Sequence, residues 1–197
     1  MQYQKEDVRN RIVDAAKTEF LRVGFYRASM LQISNRAHVP IGNLYRYFAS
    51  KASLFDAIVG TAKERIIEGL ESGMGAFKVV DNNPPAFTTK ALLDTATVNF
   101  LELAKNYQKE LILLLQKSGG SEHDGFMEDI IARVKKLLES RLTVLCKPEN
   151  KFLLDLVAEN VTRGAFRIMI ECPHEEQHEE LVRLLVFYFN HLEDRLY

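Results

Sequence analysis

The stretch Gly42-Asn43-Leu44-Tyr45-Arg46-Tyr47-Phe48, followed by Ala49-Ser50-Lys51, decides how this chain is read. On a helix turning about 100° per residue, Leu44 and Phe48 share one face. Gly42, Asn43 and Arg46 point the opposite way, and Tyr45 and Tyr47 sit on the two shoulders. Apolar anchors beneath and hydrogen-bond donors above describe a short helix that lies in a groove of DNA. So short a helix is not stable alone and must be held by its neighbours.

Those neighbours precede it. A helix is expected from about residue 5 to 23, with Val8, Ile12, Ala15, Ala16, Phe20 and Val23 as its apolar stripe. Gly24 supplies a left-handed stop. A second helix starts at Ser29, whose hydroxyl caps backbone N–H groups, and Gln32 completes a capping box. Met30, Ile33 and Ala37 point inward. His38-Val39-Pro40 makes the turn, and Pro40 suits a helix's first turn, where its missing N–H costs nothing. Ser50 caps the next helix, 51–72, whose inner stripe is Leu54, Phe55, Ile58, Ala62 and Ile66.

Charge supports this division. Residues 1–51 carry nine Lys/Arg and four Asp/Glu, a net of +5, and the remainder carries a net of −6. A basic head on an acidic body implies that only the head meets a polyanion. The 197 residues, 47% hydrophobic and 27% charged, describe a globular chain with a sizeable core. No apolar run approaches the roughly 20 residues that span a bilayer, so no membrane partner is expected. The start lacks the profile of a signal peptide. Cys146 and Cys172 lack metal-type spacing, and reduced thiols in a cytoplasm are expected.

Helical periodicity continues beyond the head, so the fold class is all-α with about nine helices. Gly73, Gly75 and Asp81-Asn82-Asn83-Pro84-Pro85 mark a loop. Helices are expected at 88–107, 109–117, 124–146, 149–171 and 174–195, with Ser118-Gly119-Gly120-Ser121 as a flexible connection. The last two helices are apolar around most of their circumference, and Gly164-Ala165 would admit a close helix. Dimerisation through this pair, as a four-helix interface between two copies, is the expectation. Burial of both at the centre of a monomer is the alternative.

The chemistry of the head follows from position. A helix-turn-helix puts its second helix in the major groove while the first crosses the backbone. Tyr45 and Tyr47 reach phosphates, Lys51 adds a cation and a helix N-terminus, and Ser29 is a similar anchor. Arg46 and Asn43 present donors to base edges, Gly42 lets the backbone approach, and Ile41 touches a thymine methyl.

From Arg9 to Val59 the chain resembles the DNA-binding domain of the TetR family of bacterial transcription regulators. The resemblance rests on Ile12 to Phe20, Gly24-Phe25, Ser29, Ile33, Ala37, the run Gly42 to Phe48, Lys51 and Leu54-Phe55. It implies that Ser29, Tyr45, Tyr47 and Lys51 bind phosphate and that Ile41, Gly42, Asn43 and Arg46 lie nearest the bases. It also implies an N-terminal three-helix domain at 1–50, a linking helix 51–72, and a larger ligand-sensing, dimerising domain over 51–197. Two positions depart from the family pattern. His38 replaces the usual glycine of the turn, and Pro40 stands where a capping Ser or Thr is common.

The resemblance further implies a cavity for a small-molecule effector, with Phe100, Tyr107, Phe126, Met127, Arg163, Phe166 and Met169 as candidate lining residues. Each is equally a core residue, and Arg163 and Arg167 have Glu159 and Glu171 as alternative partners. His174-Glu175-Glu176-Gln177-His178 spells a zincin-like pattern. It falls on an acidic helix start after Pro173 with no third ligand, so neither catalysis nor a metal is assigned to it. The expectation is a cytoplasmic homodimer, not an enzyme and without a cofactor. It would bind a palindromic DNA operator and act as a repressor released by a small molecule. A metal-dependent hydrolase on His174, Glu175 and His178, or a helical ligand-binding module without DNA function, are the alternatives.

Overall fold

The computed structural model describes residues 2–75, 90–141 and 148–189. Among these it is all-helical: α1 Gln2–Arg27, α2 Met30–Ala37, α3 Ile41–Tyr47, α4 Lys51–Gly75, α5 Lys90–Gln116, α6 Phe126–Arg141, α7 Lys151–Glu171 and α8 His174–Phe189. A short 3₁₀ turn, Pro148–Asn150, leads into α7. The helices expected at 88–107 and 109–117 are one helix, α5, kinked at Tyr107 (φ −125, ψ 26). Only that residue leaves helical geometry, so the hydrogen-bonded run resumes at once. The loop at Asp81–Pro85, the ends of the helices expected at 124–146 and 174–195, and Cys146 lie outside the described residues.

Packing divides the chain into two compact units, Met1–Glu64 with Lys109–Phe126, and Arg65–Gln108 with Met127–Tyr197. The first unit is built on three phenylalanines. Phe20 and Phe55 meet edge to face at 5.0 Å, and Phe25 meets Phe55 at 5.2 Å. Buried aromatics of this kind each stabilise a fold by about 1.5–3 kcal/mol. Ile12, Ala16, Ile33, Leu44, Leu54 and Val59 are buried in the same unit.

Gly24 explains how Phe25 joins them. Its φ of 77 and ψ of 165 lie in a region open almost only to glycine. The chain turns there, although helical hydrogen bonding carries on to Arg27, and the Phe25 N–H donates to the Lys117 carbonyl at 2.8 Å. The turn between α2 and α3 takes the expected form. His38 is left-handed (φ 52, ψ 43), and Pro40 begins α3 without a side-chain cap. Ser34, buried beneath the turn, donates to the Val39 carbonyl at 2.6 Å.

Ser118-Gly119-Gly120-Ser121 is not a loose connection but a hydrogen-bonded turn. The Ser118 hydroxyl donates to Leu114 at 2.7 Å, the Ser121 N–H to Ser118 at 2.8 Å, and the Gly120 N–H to the Asp124 carboxylate at 2.9 Å. Serine and aspartate beside glycine satisfy local backbone groups, which is order that periodicity alone does not reveal.

In the second unit α7 packs on α8. A Cβ on Gly164 would lie 3.1 Å from Leu184 Cδ2, so the close helix that Gly164 admits is α8 of the same chain. Gln177, almost fully buried, donates to the Met169 and Cys172 carbonyls at 3.2 and 3.0 Å. It thereby closes the C-terminus of α7 from the first turn of α8.

Candidate nucleic-acid interface

Helix α3 is held from below. Leu44 is fully buried, Phe48 nearly so, and the Asn43 and Leu44 N–H groups donate to the Pro40 carbonyl at 2.8 and 3.0 Å. Ile41, Gly42, Tyr45 and Arg46 are exposed, with Asn43 and Tyr47 half-buried beside them. The residues assigned to bases therefore share one short element. Tyr45, half exposed, can turn its hydroxyl to a phosphate without uncovering core.

Gly42 is informative because the protein gives it no reason to be glycine. A Cβ there would meet nothing within 4 Å, and its backbone is helical. Glycine inside a helix costs about 1 kcal/mol relative to alanine. The missing side chain leaves the outer surface of α3 bare at this position.

Ser29 caps α2 as the sequence suggests. Its hydroxyl oxygen accepts from the Gln32 N–H at 3.2 Å and its proton reaches Gln32 Oε1 at 2.9 Å, while the Ser29 N–H donates to the same oxygen at 3.2 Å. The next N–H groups of the first turn have no intrahelical acceptor and form an anion-facing end.

Lys51 departs from the phosphate role expected of its side chain. Its ammonium donates to the carbonyls of Phe25 at 2.8 Å, Ala28 at 3.0 Å and Tyr26 at 3.3 Å, and it lies 4.5 Å from the centre of the Phe25 ring. An ammonium has three donors, and here all three face the end of α1. Desolvation by the surrounding protein pushes the Lys51 pKa below the ordinary lysine value. The residue ties the exit of α3 to the end of α1.

Three clusters were not singled out from the sequence. Glu19, buried on α1, accepts from Arg22 at 2.7 Å and from Arg36 of α2 at 3.2 Å. The hydrogen bond from Arg22 holds its carboxyl below the ordinary glutamate range, against the opposing effect of burial. At the other end of α1, the Arg9 guanidinium covers the Phe48 ring at 5.5 Å, and Arg11 donates weakly to the His38 carbonyl at 3.4 Å. Third, buried His123 bridges α4: Nε2 is 3.1 Å from Asp56 Oδ1 and Nδ1 is 3.5 Å from Lys63 Nζ. With aspartate accepting and lysine donating, the consistent neutral ring carries its proton on Nε2. Apart from the Glu19–Arg22 pair within α1, these contacts join different elements, so helical periodicity does not mark them.

Of the candidate lining residues, Phe126 belongs to the first unit, and Tyr107, Met127, Phe166 and Met169 to the second. Phe166 and Met169 are fully buried, Tyr107 is the kink of α5, and the Phe100 side chain lies outside the described residues. Arg163 is exposed and takes the alternative partners, Glu159 at 2.9 Å and Glu128 at 3.4 Å, and Arg167 pairs with Glu171 at 2.8 Å. In the zincin-like pattern, His174 Nδ1 lies 3.3 Å from the Gln177 side chain. Among the described residues, no three His, Cys, Asp or Glu side chains are placed to hold a metal ion.

Residues 12–58 match the family described as bacterial regulatory proteins, tetR family. The chain is 33% identical over 81 residues to the HTH-type transcriptional regulator UidR of Escherichia coli, covering 41% of each chain. It is 40% identical over 58 residues to the HTH-type transcriptional repressor KstR of Mycolicibacterium smegmatis, covering 29% of this chain and 28% of that one. These similarities span less than half of the relatives' length. A TetR-like transcriptional regulator from Rhodococcus sp. RHA1 shares the fold, with a TM-score of 0.61 at 22% identity, over 90% of this chain and 93% of that one. The matched segment contains the residues that build the helix-turn-helix, and over it the chain is similar to the TetR family of bacterial regulatory proteins.

Proposed function

We propose that this protein is a sequence-specific DNA-binding transcription regulator, a homodimeric repressor released from a palindromic operator by a small molecule. The observation that carries the reading is α3: a buried Leu44 beneath an exposed face of Gly42, Tyr45 and Arg46, with Asn43 half-buried at its side. Base contacts fall to Asn43 and Arg46, close approach to Ile41 and Gly42, and phosphate contacts to Tyr45, Tyr47 and the N-terminal turns of α2 and α4. The first unit is the DNA-binding body in this reading, and α7 and α8 supply the dimer contact.

The dimer is supported by the apolar side chains left exposed on those two helices: Phe152, Leu156, Val186 and Phe187. Two heads related by a two-fold axis read half-sites roughly 34–36 Å apart, or a multiple of that spacing. The effector acts by binding more tightly to the state whose heads do not fit the operator. None of the helices among the described residues is long and apolar enough to cross a membrane, which accords with work in the cytoplasm.

Fluorescence anisotropy with DNA from upstream of the protein's own coding sequence tests the reading. Affinity should fall steeply between about 50 and 200 mM salt, and should exceed that for a random-sequence duplex by about 10³-fold or more. Binding that is weak, salt-independent and equal for both duplexes would reject it.

A further inference from the structure

The family match begins at Ile12, yet α1 begins at Gln2. Nearly three helical turns, about 15 Å of helix, therefore precede the matched residues. They carry Lys5, Arg9 and Arg11. On a helix Lys5 and Arg9 are about 40° apart, while Glu6 and Asp7 lie about 100° or more round from Lys5. The two cations thus share one side of the start of α1, Lys5 in line with the buried Ile12 and Arg9 about 60° round from it.

Two contacts fix where that side runs. Arg9 covers the ring of Phe48, the C-cap of α3, at 5.5 Å. Arg11, half a turn on, reaches the carbonyl of His38, the C-cap of α2. The start of α1 is therefore tied to both ends of the turn-and-helix segment that carries Gly42 to Arg46.

Arg9 itself is exposed, and among the described residues its guanidinium N–H groups have no hydrogen-bond acceptor. A guanidinium laid on an aromatic ring keeps its planar fork in one orientation, with the edge donors pointing away from the ring. A fork held this way suits the bidentate geometry of a phosphate and loses little freedom on binding it. Lys5, one turn back, adds a point charge on the same side.

We propose that Lys5 and Arg9 form a second phosphate-binding ridge, before residues 12–58, which grips the DNA backbone flanking the groove that α3 enters. The proposal rests on the DNA-binding reading above. Covering Phe48 is the competing role for Arg9, and that role would affect stability alone.

The test compares salt dependence of binding to a random-sequence duplex, where every contact is to the backbone, for wild type, Arg9→Gln, Arg9→Lys and Lys5→Gln. Each phosphate contact contributes about 0.9 to the slope of log affinity against log salt. Arg9→Gln and Lys5→Gln should each flatten the slope by about 0.9 per copy bound, and Arg9→Lys should keep it. A steep wild-type slope unchanged in Arg9→Gln, with only the melting temperature lowered, overturns the ridge and leaves the DNA reading standing. A wild-type protein with no salt-dependent binding overturns the DNA reading itself.

Discussion

The Lys51 ammonium sits 4.5 Å from the centre of the Phe25 ring and donates to the Phe25 carbonyl at 2.8 Å. One side chain therefore caps the end of α1 while its own backbone starts α4. Lys51→Met should lower stability by about 1–3 kcal/mol, the cost of leaving part-buried carbonyls unsatisfied. The salt slope of DNA binding should stay nearly unchanged, because the ammonium is turned inward. Denaturant unfolding and anisotropy titrations on the same variant check both halves. A stable variant with a slope flattened by a full unit would restore the side chain to phosphate.

Gly42 should behave in the reverse sense. Its helical backbone and open surroundings mean that Gly42→Ala stabilises the fold by about 0.5–1 kcal/mol. The added methyl should also weaken operator binding, because it stands where DNA approaches. Higher melting temperature together with lower affinity is the expected pair. Affinity equal to or above wild type would remove Gly42 from the interface.

Glu19 links stability to pH. Its pKa is lowered in the folded state by the Arg22 hydrogen bond. The folded state therefore holds its proton less tightly than the unfolded chain does. The resulting stabilisation is present above the ordinary glutamate range and is lost as pH falls through the lowered folded value. Glu19→Gln should cost about 1.5–3 kcal/mol near neutrality, the range for hydrogen bonds to a charged group, and the difference from wild type should shrink in acid. Melting curves from neutral pH to below the carboxylate range would show it. A difference independent of pH would mean that the pair contributes shape and not charge.

Much of the head was legible in the sequence because its determinants are local. The Ser29–Gln32 box, the left-handed His38 and the buried Leu44 each follow from residues within a few positions of one another. Lys51 was read from its neighbours in sequence, whereas its partners Phe25, Tyr26 and Ala28 lie more than twenty residues earlier. Glu19 with Arg36, and His123 with Asp56, are of the same long-range kind and leave no periodic trace. The sequence of Ser118 to Ser121 does not separate an ordered turn from a flexible link, because glycine and serine serve both equally well. In the zincin-like pattern, the structural residue is Gln177, a position the pattern leaves blank.

The outer faces of α7 and α8 carry the last prediction. Phe152 is 74% exposed and Phe187 68%, with Leu156 and Val186 also open on the same two helices. An aromatic side chain can bury about 150–250 Å², so in the proposed dimer these residues would supply the apolar centre of a two-fold interface. Replacing both with glutamate should disrupt such an interface without entering the core, since Leu154, Val161 and Leu181 beneath them stay in place. Sedimentation velocity should show wild type as a dimer and Phe152→Glu with Phe187→Glu as a folded monomer. On DNA the monomer loses the second head, and with it the gain from two linked contacts, which is about 10² or more. It should still bind a single half-site with its own weak affinity. A doubly substituted protein that remains dimeric would place the interface elsewhere on the chain, and one that is monomeric yet binds the full operator undiminished would separate dimerisation from DNA recognition.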